Sequence, residues 1–102
     1  MTRREKIEEL LKTDPTDVFL NYSYAMELAK LNEIDLARQF FQKVRDLDSN
    51  YVSAYFQEGQ MLAAQAEPDA ARQILQSGIE VARKIGDDHA RGEMSDFLQS
   101  LS

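Results

Sequence analysis

Apolar residues recur at intervals of three and four along most of the chain, which is the spacing of one face of an α-helix. Between Ile34 and Leu47, for example, apolar side chains stand at positions 34, 37, 40, 41, 44 and 47. Polar residues fill the gaps, so each such segment is expected to bury one face and to expose the other. No segment shows the alternating, β-branched pattern of a strand. The pattern therefore predicts an all-α protein.

Short polar breaks and isolated Gly or Pro residues divide this pattern into six predicted helices. Asp14 is expected to cap the second helix, with Pro15 at its first helical position. Asn50 is expected to cap the fourth helix. Gly86 is expected to end the fifth helix in the left-handed conformation that glycine adopts without steric cost.

Two octamers set 34 residues apart are near copies of each other, DLARQFFQ at 35–42 and DAARQILQ at 69–76. Aligning 18–51 with 52–85 gives nine identities, against roughly two expected from average composition. A period of this length is typical of helical repeat proteins. The chain is therefore predicted to be a single domain, 1–102, with a short N-terminal helix (2–12), two repeats (18–51 and 52–85) and a C-terminal capping helix (87–101).

The repeated residues resemble the tetratricopeptide repeat family, in which a small residue lies where two helices cross and large apolar residues fill the adjacent space. In the first helix of each hairpin the matching pairs are Ala25 with Leu28 and Gly59 with Leu62. In the second helix they are Ala37, Phe41 and Val44, and then Ala71, Leu75 and Gly78. The resemblance implies an α-α superhelix of two helical hairpins with one flanking helix at each end.

Three positions depart from the family pattern. Asn21 stands where the first repeat would carry an aromatic residue, whereas Tyr55 supplies one in the second repeat. Ser49 replaces a usual proline, and Glu58 occupies a usually apolar position. Because an unpaired buried charge is costly, we expect a one-residue rotation that leaves Glu58 at the rim, with a paired buried carboxylate as the alternative.

The resemblance also implies a function, because in this family the first helix of each hairpin lines a concave groove that binds protein segments. The matching positions are Phe19, Tyr22, Ser23, Met26 and Lys30 in the first repeat, and Ser53, Phe56, Gln57 and Gln60 in the second. We therefore expect a non-enzymatic interaction module, an adaptor or scaffold, that binds an apolar or aromatic segment of a protein or peptide of unknown identity.

Some members of the family bind a C-terminal carboxylate through a clamp of lysine and asparagine. The corresponding positions here are Tyr22, Met26 and Gln57, so a carboxylate-ended peptide is not expected. One alternative is that the groove is buried in a weak homodimer. Another is that Phe19 and Tyr22 belong to the core, or that the N-terminal helix covers them.

Charge and composition narrow the classes of partner. A net charge of −6 and a pI near 4.7 disfavour nucleic acid, which is bound by basic surfaces. No apolar run is long enough for a membrane span, and without cysteine the chain shows no sign of an oxidising compartment, so a cytoplasmic location is expected. Arg3, Arg4 and Lys6 are expected to be a solvated chain end.

Catalysis is a remote alternative, in which His89 and the nearby acids would hold a metal ion for an enzyme. Zinc sites need three or four convergent ligands, and the chain has one histidine and no cysteine. We therefore expect His89 to be a surface residue, with Asp87 or Asp88 as the cap of the last helix. No cofactor is expected.

Overall fold

The computed structural model describes residues 1–101, which form six α-helices and no strand. The helices are α1 (Arg3–Thr13), α2 (Val18–Lys30), α3 (Ile34–Leu47), α4 (Val52–Ala64), α5 (Pro68–Ile85) and α6 (Asp88–Ser100). They fall into two compact units, of which the first ends at Asp48 and the second begins at Ser49. The fold is all-α, as predicted. None of the helices in 1–101 combines the length and apolar character that crossing a membrane requires.

The first unit contains α1, α2 and α3, with α2 and α3 forming the first hairpin. Its core consists of the small and large residues that the repeat pattern selects. Side chains with no exposed surface include Ala25, Leu28, Ala37, Phe41 and Val44. Helix α1 packs against α2 and buries Ile7, whereas Leu10, one turn further along the helix, is 54% exposed. The apolar contact of α1 is therefore narrower than its sequence predicts.

The second unit contains the hairpin of α4 and α5 and the terminal helix α6. Tyr55, Leu75, Ala82 and Met94 form its buried apolar cluster, and Met94 comes from α6. Phe97, Leu98 and Leu101 pack around the same cluster. The apolar stripe of α6 therefore seals one side of this unit, as expected of the predicted capping helix.

Two glycines allow close helix packing in the second unit. A Cβ atom at Gly78 would lie 2.6 Å from the Cβ of Tyr55 and 2.7 Å from the Sδ of Met94. A Cβ atom at Gly59 would lie 2.6 Å from the Cγ of Leu75. All three distances are far below van der Waals contact, so the small residues at these crossings are sterically required.

The turn inside each hairpin has the same conformation. Asn32 and Ala66, at equivalent positions, have positive φ angles of 63° and 58°. In each case the following N–H group donates to a carbonyl five residues earlier, Glu33 to Leu28 and Glu67 to Leu62. This is the Schellman ending of an α-helix. Gly86 ends α5 with φ of 78°, as predicted.

Two predicted helix caps are wrong. The carboxylate of Asp17, and not that of Asp14, accepts a hydrogen bond from the Leu20 N–H at 2.8 Å and caps α2. Asp14 instead completes α1, because its N–H donates to the carbonyl of Leu10. The cap position of α4 is Tyr51, which makes no side-chain cap bond, so the cap predicted at Asn50 is also wrong.

Candidate functional site

The predicted binding residues of α2 form a stripe along one face of the helix. Phe19, Ser23, Met26 and Lys30 stand at intervals of four, three and four residues, which brings them onto the same side. Ser23, Met26 and Lys30 line a pocket of about 370 Å³. Glu27 of the same helix and Arg3 of α1 complete its wall. Three of the predicted residues therefore line one pocket within the first unit.

The two aromatic residues predicted on α2 differ in their surroundings. Phe19 is 65% exposed, so it is neither a core residue nor covered by α1. Tyr22 is half-buried, and its ring meets that of the buried Phe41 edge to face, with 6.4 Å between the centroids. The exposed aromatic surface on α2 is therefore mainly that of Phe19.

The predicted residues of α4 are more strongly engaged in packing. The ring of Phe56 meets that of Phe97 edge to face at 6.0 Å and packs against the apolar cluster of the second unit. Gln57 and Gln60 are half-buried, and Ser53 is exposed. Phe56 thus helps to hold α6, and its part in binding stays a prediction.

The basic N-terminus makes specific ion pairs, so the expectation of a merely solvated end is wrong for two of its three cations. The Nε atom of Arg3 lies 3.2 Å from a carboxylate oxygen of Glu27. Arg4 pairs with Glu8 at 3.1 Å and also with Glu33, the residue that precedes α3. The pairs with Glu27 and Glu33 join α1 to the first hairpin. Sequence periodicity could not reveal them because it reports only apolar faces.

Tyr24 extends this polar network, because its hydroxyl donates a hydrogen bond of 2.6 Å to the Glu8 carboxylate. The Tyr24 hydroxyl and then the Arg4 guanidinium lower the pKa of Glu8, since both favour its charged form. Burial, followed by the bond to Glu8, raises the pKa of Tyr24. The hydrogen bond to Glu8 raises the pKa of Arg4. Near neutral pH, α1 is therefore tied to α2 by a charged network.

Two polar residues lie in the cores of the units. Asn21 has no exposed surface, and its Nδ2 donates to the carbonyls of Pro15 and Asp17, at 3.0 and 2.8 Å. Its Oδ1 has no hydrogen-bond partner in the described part of the chain. Glu58 is 1% exposed, so the predicted rim position is wrong. The register holds because Ala54, Tyr55 and Leu62 are buried on the same helix.

His89 lies at the surface, as predicted, and its side chain is 86% exposed. Its Nε2 is 3.2 Å from a carboxylate oxygen of Glu93, one turn along α6. Asp87 caps α6 by accepting a hydrogen bond from the Ala90 N–H at 3.0 Å, and Asp88 lies 3.5 Å from Arg91. Residues 1–101 contain no cluster of three or more His, Asp or Glu side chains arranged to hold a metal ion.

Paired hairpins with small residues at the helix crossings define a helical repeat protein, and comparison with solved structures specifies its type. No family model matches the sequence, and no curated protein matches it either. A Bordetella parapertussis protein solved in solution superposes with a TM-score of 0.86 at 26% identity, over 99% of this chain and 88% of that one. A tetratricopeptide repeat domain protein from Salinibacter ruber gives 0.79 at 28% identity, over 86% and 89%.

A third structure, the TPR2B domain of yeast Sti1 in its pHsp70 complex, shares the fold at 21% identity. Its TM-score is 0.86, over 96% of this chain and 78% of that domain. The chain therefore has the fold of a tetratricopeptide repeat domain, in agreement with the resemblance of its sequence.

Proposed function

We propose that this chain is a non-enzymatic protein-interaction module and that the stripe on α2 binds a segment of another protein. The observation that carries the proposal is the 65% exposure of Phe19 on the same helix face as the pocket around Met26. An exposed aromatic ring on the same helix face as an adaptable thioether is typical of a binding surface. The structurally similar Sti1 domain, which was solved with a pHsp70 partner, supports this class of function.

The four predicted residues of α4, Ser53, Phe56, Gln57 and Gln60, remain proposed contacts. Gln57 and Gln60 offer amide groups that can hydrogen-bond to a peptide backbone. Phe56 is the weakest candidate, because its ring is already packed against Phe97. The proposal therefore rests on α2.

Self-association through the same stripe is the competing proposal, because a second copy would also cover Phe19. Sedimentation at several concentrations separates the two. If the native chain dimerises and Phe19→Ser abolishes the dimer, then α2 serves self-association. If both remain monomeric, a partner protein is the better explanation. Tyr22→Ala and Phe56→Ala are unsuitable, because the two rings contact Phe41 and Phe97.

The test of partner binding is a pull-down with quantitative mass spectrometry. Proteins that the native chain retains should be lost with Phe19→Ser. They should be retained by Ile85→Ser, which removes an exposed apolar side chain from α5 and serves as the matched control. Retention of the same proteins by both variants would contradict the proposal that α2 is the binding face.

A further inference from the structure

Of the charged side chains around the α2 pocket, some have an ion-pair partner and one does not. The carboxylate of Glu27, which is 10% exposed, is neutralised by Arg3 at 3.2 Å. Within residues 1–101, the ammonium group of Lys30 has neither an ion pair nor a hydrogen bond. The pocket wall therefore carries one uncompensated positive charge, although the chain as a whole has a net charge of −6.

The ammonium group of Lys30 lies on the same helix face as the apolar side chain of Met26. Met26, half-buried, precedes Lys30 by four residues, so the thioether and the ammonium group lie on the same face of the helix. Ser23, one turn before Met26, adds a hydroxyl that can donate a hydrogen bond. The pocket thus offers a hydroxyl donor, an apolar surface and a cation, in that order along the helix.

We propose that the segment bound by α2 carries an acidic side chain near an apolar one, with the carboxylate paired to Lys30 and the apolar group packed on Met26. This inference rests on the proposed function and specifies the chemistry of its partner. Complementary charge chiefly provides specificity, because a neutral or basic segment would leave Lys30 unpaired or repelled. Glu27 opposes the bound acid only weakly, since Arg3 neutralises it.

A purely structural role for Lys30 is the competing explanation. Lys30 lies in the last turn of α2, where a cation stabilises the negative end of the helix dipole. That role predicts an effect of Lys30 substitution on unfolding but no preference among ligands. The two explanations therefore differ in a binding measurement.

The probes are two acetylated, amidated peptides, Gly-Leu-Ser-Glu-Gly and the same peptide with Gln in place of Glu. Each is titrated into the ¹⁵N-labelled full chain while the amide shifts of α2 are followed. We expect the Glu peptide to bind about two- to fivefold more tightly, which is the range of an exposed ion pair. Lys30→Gln should abolish this difference, and added salt should reduce it.

Two further variants test whether the charge of the pocket wall determines the preference for the Glu peptide. Glu27→Gln should tighten binding of the Glu peptide, because it removes a negative charge from the pocket wall while keeping the shape of the side chain. Lys84→Gln is the matched control, since Lys84 is an exposed lysine in the last turn of α5. It should leave the difference between the peptides unchanged.

The outcomes separate the two proposals. Equal affinity of both peptides for the native chain, with shifts in α2, would overturn the acidic preference and leave the proposed function standing. Shifts confined to helices other than α2 would count against α2 as the binding face and so against both. A preference for the Glu peptide that survives in Lys30→Gln would assign the preference to another cation and overturn the role of Lys30.

Discussion

The two hairpins make the same hydrogen bond with different side chains. In the first, the Asn21 amide donates to the carbonyl of Pro15 at 3.0 Å. In the second, the Tyr55 hydroxyl donates to the carbonyl of Ser49 at 2.9 Å. Both the donors and the acceptors are 34 residues apart. The repeat therefore preserves the tie between the first turn of a helix and the preceding loop, while the residue that provides it changes.

The residues that face Asn21 and Tyr55 across each hairpin differ in size in the opposite sense. In the second hairpin, the Cβ of Tyr55 lies 2.6 Å from where a Cβ of Gly78 would be. In the first hairpin, the smaller Asn21 replaces the tyrosine and the larger Val44, fully buried, replaces the glycine. A bulky residue on one helix thus accompanies a small one on the other. Packing constrains the combined volume of facing residues more closely than the identity of either.

The flanking helices differ in the kind of contact that holds them. In the first unit, α1 buries Ile7 but is otherwise tied by Arg3, Arg4 and Glu8 to partners in the hairpin. In the second unit, α6 inserts Met94 into the apolar cluster. Charged contacts weaken with salt and with acid, whereas apolar burial does not. The two units should therefore respond differently to solution conditions.

Gly78→Val would place the valine found at the equivalent position 44 of the first hairpin into the second hairpin, where the facing residue is the bulky Tyr55. The combined volume of the facing residues would then be too large. The new side chain would collide with the Cβ of Tyr55 and with Met94, neither of which is free to move away. We expect the free energy of unfolding to fall by about 3 kcal/mol, the upper part of the range for overpacked cores. Urea denaturation measures this loss.

Gly92→Val is the control for helix propensity. Gly92 lies inside α6, and a Cβ there would meet no atom within 4 Å. The change should alter stability by less than about 1 kcal/mol, and in the stabilising direction. If the two variants lost the same stability, the close approach at Gly78 would not be the cause.

The sequence predicted the architecture well because a 34-residue repeat identifies equivalent positions that are buried in both hairpins. Ala37 and Ala71, for example, are both fully buried, as are Phe41 and Leu75. Gly86 was also identified correctly, and Asp87 was one of the two predicted caps of α6, since the left-handed ending and the side-chain cap depend on local chemistry. Local and repeated signals are thus the ones that a single sequence carries.

Long-range polar contacts were not predictable in the same way. The pairing of Arg4 with Glu33 and the bond from Tyr24 to Glu8 join residues far apart in the chain, and nothing in the periodicity of α1 indicates them. The rim position predicted for Glu58 was wrong because the prediction gave more weight to the cost of burying a charge than to the register of apolar residues along the helix. The proposed binding stripe on α2 followed from the family resemblance and not from the periodicity of the helix.

Tyr24→Phe would sharpen the contrast between the flanking helices. The variant keeps the ring contact with Phe40 but removes the hydrogen bond to Glu8. Because the pKa of Glu8 is lowered in the folded state, its contribution is complete above the ordinary value of 4.5 and is lost as the pH falls through the lowered value. The destabilisation should therefore be clear at neutral pH and smaller at an acid pH well below 4.5.

Tyr55→Phe is the matched control for that experiment. Its hydroxyl donates to a backbone carbonyl, which does not titrate. Loss of this bond should cost about 1 kcal/mol at either pH. Urea unfolding of both variants and the native chain provides the comparison. A Tyr24→Phe effect that stayed constant with pH would show that the charge of Glu8 does not matter to the docking of α1.

The smallest expected effect concerns the turns that close the two hairpins. Ala66 adopts φ of 58°, where the Cβ of an L-residue costs roughly 1–2 kcal/mol, whereas Asn32 at the equivalent position belongs to a type that tolerates this region. Glycine removes that strain but adds about 0.4–1 kcal/mol of unfolded-chain entropy. Ala66→Gly should therefore stabilise the chain by about 0.5–1 kcal/mol, which thermal and urea unfolding can resolve. Asn32→Gly should gain less, because less strain is relieved. If Ala66→Gly proved destabilising, the conclusion that Ala66 is strained by its positive φ angle would be wrong.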